Sequence, residues 1–132
     1  MIHPGIRAVL VTILLVVAGC ESQVVPSKGN RAPTNPAEVK IYQEKPKQYE
    51  DLGSVEVPVG GDVKWDEKGD ASAGFDRLKS QAAQRGANGI LLMTDEPSTA
   101  MVTAGTGGKY YRVPVRTNPK SAMGKAIYVL KE

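Results

Sequence analysis

The sequence predicts a small α+β domain, in which one helix packs on a mainly antiparallel sheet with the element order β-β-α-β-β-β. Three observations lead to this fold. Several short stretches alternate apolar with polar residues, as half-buried strands do. Only residues 70–85 clearly place their apolar residues at helical spacing. Turns that contain glycine or proline separate these segments.

Two strands precede the helix. Apolar and polar residues alternate over residues 39–42, which predicts a short strand. The second strand covers residues 49–59, where Val55, Val57 and Val59 share one face. Because Pro58 cannot donate to a β-ladder, this strand lies at an edge of the sheet or ends near Pro58.

The helix is predicted over residues 70–85. Asp70 or Ser72 can serve as its N-cap, and Gly86 stands where a left-handed residue commonly ends a helix. Gly74 lies on the apolar side and indicates close packing onto the sheet. Four apolar residues recur at spacings of four, three and four: Ala71, Phe75, Leu78 and Ala82.

Three strands are predicted after the helix. Residues 90–93 form a continuous apolar run, which is typical of a strand buried on both faces. Residues 95–109 are expected to be a loop. Residues 111–116 alternate again, with Pro114 on the polar side, and residues 124–130 form the last strand.

The N-terminus has the pattern of a secretion signal. Arg7 precedes an uncharged stretch, residues 8–18, that is too short to span a bilayer, which takes about 20 residues. Val17-Ala18-Gly19-Cys20 resembles the lipobox of bacterial lipoproteins, which are cleaved between the residues matching Gly19 and Cys20 and acylated on the cysteine. The resemblance implies a lipid bilayer as partner through acylated Cys20. In such lipoproteins an aspartate directly after the acylated cysteine favours retention in the inner membrane. The residue at this position is Glu21, so we expect the outer membrane.

The predicted organisation has three parts. Residues 1–19 are the lipoprotein signal peptide, residues 20–36 the lipidated N-terminus and a flexible linker, and residues 37–132 the α+β domain. The linker is rich in proline, serine and asparagine and is expected to be disordered. From residue 21 to residue 36 it would reach roughly 20–25 Å as a coil.

Composition excludes several function classes. Cys20 is the only cysteine and His3 the only histidine. Cleavage would remove His3, and acylation would occupy the thiol of Cys20. The mature chain would then lack the groups for Ser-His-Asp catalysis and the usual zinc ligands. We therefore expect no enzyme, no cofactor and no metal site. The net charge is +3 with scattered basic residues, which predicts no nucleic-acid binding.

Two segments resemble ligand sites in composition. Thr103–Lys109 is rich in glycine, but its spacing does not match a phosphate loop, so a hairpin loop is expected. Four acidic residues precede the helix. They form either a weak cation site or, as we prefer, a helix start where negative charge favours the helix dipole: Asp62, Asp66, Glu67 and Asp70.

Aromatic residues and serines are the remaining candidates. Strand alternation places one of Tyr110 and Tyr111 in the core and the other on the surface, whereas stacking on a ligand would use both with Arg112. Trp65 is either a partner anchor or part of the core. A histidine-free hydrolase would need a serine in a motif such as S-x-x-K, and the sequence contains none. The candidate nucleophiles of such a hydrolase are Ser54, Ser72 and Ser80.

The order of motifs in residues 39–93 resembles a known group of envelope domains. The motifs are V-K-I-Y, P-x-x-Y-E-D-L-G-S-V, A-A-Q-R-G-A-N-G and I-L-L-M. They are similar to the group that includes the Rcs stress-sensor lipoprotein and YbjQ-like domains. The resemblance implies a compact α+β domain with a sensing or binding role, although the paired cysteines of the Rcs sensor are absent.

The sequence thus predicts a non-catalytic binding or structural module in the periplasm, which contacts an envelope protein or a cell-wall component. The alternatives are a homo-oligomer that assembles into rings, an envelope stress sensor and a histidine-free hydrolase.

Overall fold

The computed structural model describes residues 22–25, 31–60, 65, 70–93 and 99–132. They form one helix and a mixed sheet, which confirms the predicted α+β class. The helix is α1 (Ser72–Gln84), and a short 3-10 turn covers Pro36–Glu38. The strands are β1 (Gln23–Val25), β2 (Lys40–Tyr42), β3 (Gln48–Pro58), β4 (Gly89–Leu91), β5 (Thr99–Thr106), β6 (Lys109–Thr117) and β7 (Lys120–Lys131).

Strand β7 is the centre of the sheet. The strand order is β1-β3-β7-β4-β2, and the β5–β6 hairpin joins one end of β7 through β6. Strands β3, β4 and β6 pair with β7 antiparallel, whereas β1 pairs with β3 and β2 with β4 in parallel. Since β3 and β4 flank β7 and run in the same direction, α1 is the crossover between them.

Strand β4 separates two apolar clusters. Ile90 belongs to the main core, where Phe75 and Leu78 of α1 pack with Val55 and other residues of the sheet. The next residue, Leu91, packs on the other face of the sheet with Tyr49 and Ile127. The predicted burial of this strand on both faces is confirmed up to Leu92. Met93 was expected in the same strand, but it lies beyond the end of β4 and is exposed.

The end of α1 is as predicted, and its start is not. Gly86 has a φ of 78°, and its N–H donates to the carbonyl of Ala83 while the N–H of Ala87 donates to Ala82. These two bonds form a Schellman motif. The N-cap position is held by Ala71, without a side-chain cap, rather than by Asp70 or Ser72. Asp70 lies one position farther from the helix, where its carboxylate accepts from the N–H of Ser72, while the N–H of Ala71 donates to Gly105 of β5.

The loop expected over residues 95–109 contains strand β5, so that expectation is wrong for residues 99–106. Met101 and Val102 are adjacent and are flanked by alanine, threonine and glycine, so the segment lacks the apolar–polar alternation that marks a strand. Pairing with β6 stabilises it, and Gly107 and Gly108, both with positive φ, make the two-residue turn between the strands. The hairpin predicted for Thr103–Lys109 is confirmed.

The segment expected to be a disordered linker makes ordered contacts with the domain. Strand β1 adds to the edge of β3, and the N–H of Thr34 donates to the carbonyl of Ala83 over 2.9 Å. Main-chain pairing at an open strand edge needs no apolar periodicity, so composition gives no sign of it. The division at residues 19, 36 and 132 stays a prediction. Gly19 and Cys20 lie outside the described residues, within which no helix is long and apolar enough to span a membrane.

Candidate functional site

The predicted lipidation site is followed almost at once by the sheet. Ser22 is the second residue after Cys20, and its hydroxyl donates to the carbonyl of Lys45 over 3.3 Å. The N–H of Gln23 donates to the carbonyl of Lys47 over 2.8 Å. Both acceptors belong to the connection between β2 and β3, so the chain is bonded to the domain directly after the predicted anchor.

A buried ion pair holds the same N-terminal segment farther along. Nε and Nη2 of Arg31 donate to Oε2 and Oε1 of Glu50 over 3.0 and 2.8 Å, and the guanidinium lies 3.6 Å from the centre of the Tyr128 ring. Glu50 is only 1% exposed. Its hydrogen bond to Arg31 is the main reason that the pKa of Arg31 is raised. We call Arg31, Glu50 and Tyr128 the N-terminal clamp, because they tie residue 31 to β3 and β7.

The C-terminal residue is bound to β2. Oε1 of Glu132 accepts from Nζ of Lys40 over 3.0 Å and from the hydroxyl of Tyr42 over 2.9 Å. Burial, followed by the hydrogen bond to Glu132, raises the pKa of Tyr42 to about 12. The bond from Lys40, followed by that from Tyr42, lowers the pKa of Glu132. These polar groups satisfy one another beside a cleft of about 190 Å³, which favours a structural role.

An apolar cleft of about 450 Å³ lies between the end of β4 and the β5–β6 hairpin. Met93 and Met101 line it and are 40% and 46% exposed. Gln43, Glu44 and Arg112 form its polar rim, where Oε1 of Gln43 accepts from the backbone N–H of Arg112 over 3.0 Å. Flexible thioether side chains adapt to apolar groups of different shapes. The sequence interpretation missed this site because its residues come from four separate segments: the β2–β3 connection, the residues after β4, strand β5 and strand β6.

The aromatic candidates belong largely to the core. Trp65 is buried and meets Phe75 edge-on, with ring centroids 5.0 Å apart, which settles the alternatives in favour of the core. Its Nε1 has no acceptor within the described part of the chain. Tyr111 lies 5.4 Å from Phe75, whereas Tyr110 is 65% exposed, so the predicted division between the two tyrosines is confirmed. They do not form a stacking site with Arg112.

The structure describes only one of the four acidic residues of the candidate cation site. Asp62, Asp66 and Glu67 lie outside the described residues. Asp70 accepts from the hydroxyl and N–H of Ser72, and these bonds lower its pKa. Within the ranges that the structure describes, no three histidine, cysteine or acidic side chains come together as a metal site would require.

The candidate serines are not brought together. Ser54 and Ser80 are exposed on different elements, and Ser72 is bonded to Asp70 and Thr106. A serine that the sequence interpretation did not consider, Ser121, is buried and donates to Oε2 of Glu56 over 3.2 Å.

Glu56 links three parts of the fold. Its Oε1 accepts from Nη2 of Arg116 over 2.7 Å. Its backbone carbonyl and N–H pair with the side-chain amide of Gln81 over 2.8 and 3.2 Å. Gln81 therefore acts as a short substitute for a neighbouring strand and covers the edge of β3 opposite β7. The arrangement connects β3, β6 and α1, and it is structural rather than reactive.

Comparison with known proteins adds no relative from which a function could be carried over. The lipobox and envelope-domain resemblances therefore stay predictions. No family model, no curated protein and no solved structure matches this chain.

Proposed function

We propose that the chain is a bacterial envelope lipoprotein, anchored in the outer membrane through acylated Cys20 and facing the periplasm, and that its domain is a non-catalytic binding module. One observation carries this proposal: Val17-Ala18-Gly19-Cys20 closes an uncharged segment of signal-peptide length and contains the only cysteine of the chain. Two or three acyl chains on one residue would anchor the protein stably, since a single chain binds only reversibly.

The apolar cleft supports a binding role. Met93 and Met101 line it with large exposed apolar side chains, and Glu44 and Arg112 add one charge of each sign at its rim. Adaptable apolar residues with a polar rim suit the side chains of a protein better than a polar glycan. The partner we propose is therefore another envelope protein.

Mass spectrometry of the protein extracted from membranes tests the anchor. We expect a mature N-terminus at Cys20 that carries the mass of two or three acyl chains. Cys20→Ala should block acylation and cleavage at this site. A protein that starts at an unmodified Met1 would exclude the anchor and the periplasmic location together.

Site-specific crosslinking in cells tests the binding role. A photoreactive residue in place of Met101 should give a discrete adduct, and the same residue in place of the exposed Lys120 should not. Met93→Lys should lower the yield of that adduct at unchanged protein level. Absence of an adduct at residue 101, or equal adducts at both positions, would count against the cleft as the binding surface.

Self-assembly is a second candidate, which the outer edge of β5 favours. Among the described strands β5 pairs only with β6, and its other edge meets an isolated bridge between Asp70 and Gly105. A second copy of the chain could add its own β5 there in antiparallel pairing. Sedimentation of the detergent-extracted protein tests this idea. We expect an oligomer that Met101→Lys dissociates, and a monomer at high concentration would exclude it.

A further inference from the structure

We propose that the short connection between the anchor and the sheet holds the domain against the bilayer in one orientation, with one end of the sheet resting on phospholipid headgroups. We call this end the anchor end and define it by Ser22, Val24, Lys47, Leu130 and Lys131. The inference rests on the proposed acylation of Cys20, and it replaces the long flexible tether that composition suggests.

The connection is too short to let the domain move away. From Cys20 to Ser22 the chain spans at most about 7 Å when fully extended. Ser22 and Gln23 are already bonded to the carbonyls of Lys45 and Lys47. The bilayer surface therefore has to lie within a few ångströms of these residues once Cys20 carries its acyl chains.

The N-terminal clamp limits how much of the segment before residue 31 can separate from the domain. Arg31 is tied to buried Glu50 by two short hydrogen bonds, and both ends of the segment are thus fixed to β3. Loss of the pairing between β1 and β3 alone would release only the residues before Arg31. The domain is consequently held at two points along the first part of the mature chain.

The anchor end has the chemistry of a membrane-facing surface. The pairing register aligns Gln23 of β1 with Gln48 of β3, and Gln48 with Lys131 of β7. At this end Val24 and Leu130 are 58% and 48% exposed, although both are apolar. Exposed apolar side chains can enter the headgroup boundary, and lysines are attracted to anionic lipids.

The charges at this end nearly balance. Lys45, Lys47 and Lys131 are exposed. Three acidic residues oppose them, because Glu38 and Glu44 are exposed and Glu21 directly follows Cys20 in the sequence, while Lys40 and Glu132 neutralise each other in an ion pair. The apolar residues and the short link therefore set the orientation, and lipid charge contributes little.

Two reporters on one strand test the orientation. Because Cys20 would be acylated, Lys131→Cys or Lys120→Cys would introduce the only free thiol. The two positions are the ends of β7, roughly 36 Å apart at 3.3 Å per residue. The acylated protein would be labelled with a fluorophore and reconstituted in phosphatidylglycerol vesicles whose headgroups carry a quencher. We expect at least fivefold stronger quenching at residue 131 than at residue 120, and equal quenching would overturn the inference.

A matched pair of variants tests the cause of the orientation. Gln23→Pro removes the N–H that bonds to Lys47, whereas Gln23→Ala keeps it. Release of β1 leaves ten residues between Cys20 and Arg31, about 17 Å as a flexible coil. The ratio of quenching between the two reporters should fall at least twofold with proline and stay unchanged with alanine. An unchanged ratio in the proline variant would refute the role of β1.

Two further measurements separate this inference from the proposed function. Intact mass shows whether Cys20 is acylated, and an unmodified chain overturns both proposals. An acylated, vesicle-bound protein with equal quenching at the two positions overturns only the orientation. In neutral phosphatidylcholine vesicles we expect a similar ratio of quenching between residues 131 and 120, and loss of the difference there would show that lipid charge, not the short link, sets the orientation.

Discussion

Replacement of Gly74 by alanine should destabilise the protein, even though alanine is the better helix former. Within a helix, alanine gains about 1 kcal/mol over glycine. A Cβ at Gly74 would lie 2.2 Å from Cζ2 of Trp65, far inside van der Waals contact. Trp65 packs against Phe75 and has to shift with the helix. Overpacking of this kind costs about 1–3 kcal/mol, and a clash this deep belongs at the upper end. The expected net loss is about 2 kcal/mol.

Urea unfolding followed by far-ultraviolet circular dichroism measures this effect. For a protein of this size a loss of about 2 kcal/mol lowers the midpoint by about 1 M. The emission of Trp65, the only tryptophan, should change in the same variant.

A change of background isolates the clash. After Trp65→Ala the clash is gone, and Gly74→Ala should then stabilise the protein by about 1 kcal/mol. Ser80→Ala, at an exposed position of α1, is the control and should change stability by less than about 0.5 kcal/mol. If Gly74→Ala stabilises the original protein, or costs the same in both backgrounds, the packing argument is wrong.

Three more predictions use the same unfolding measurement. Gln81→Ala removes both hydrogen bonds to the backbone of Glu56, so we expect the free energy of unfolding to fall by about 1–2 kcal/mol. The amide hydrogen of Glu56 should also exchange faster with solvent, and an unchanged exchange rate would contradict this role of Gln81. Folding raises the pKa of Tyr42 from about 10 to about 12. The contribution of Tyr42 to the free energy of unfolding is therefore complete below pH 10 and is lost as the pH rises to 12. Tyr42→Phe should therefore make stability less dependent on pH between 10 and 12, and an unchanged slope would contradict it. Gly108 has a φ of 78° with no neighbour near its Cβ position. Gly108→Ala should therefore lower the free energy of unfolding by about 1 kcal/mol, and Gly108→Asn should lower it less. Equal losses in the two variants would exclude backbone conformation as the cause.

The parts of the fold that the sequence predicted depend on local periodicity. Phe75 and Leu78 recur at helical spacing because α1 buries one continuous face, and Gly86 marks its end through a backbone requirement. The apolar run around Ile90 identified the strand that is buried on both faces. In each case the signal lies within a few neighbouring residues, so one stretch of sequence is sufficient to detect it.

The parts that the sequence did not predict depend on contacts between distant segments. Strand β5 is held by its pairing with β6 and by Gly105, which accepts from Ala71, and its own residues show no alternation of apolar and polar side chains. The apolar cleft combines Met93 and Met101 with residues of the β2–β3 connection. Gln81 covers the edge of β3 across 25 residues of sequence. No single stretch of sequence carries these relationships.

The ordered N-terminal segment changes what a lipid anchor on Cys20 would do. A disordered linker from residue 21 to residue 36 would let the domain range roughly 20–25 Å from the membrane. With Ser22 and Gln23 bonded to the domain, the free link shrinks to about 7 Å. Restricted motion lowers the entropic cost of meeting a partner that lies at the same bilayer surface, and it excludes a partner that lies farther away than the domain itself extends. A protein bound at the apolar cleft would accordingly have to sit within one domain length of the membrane.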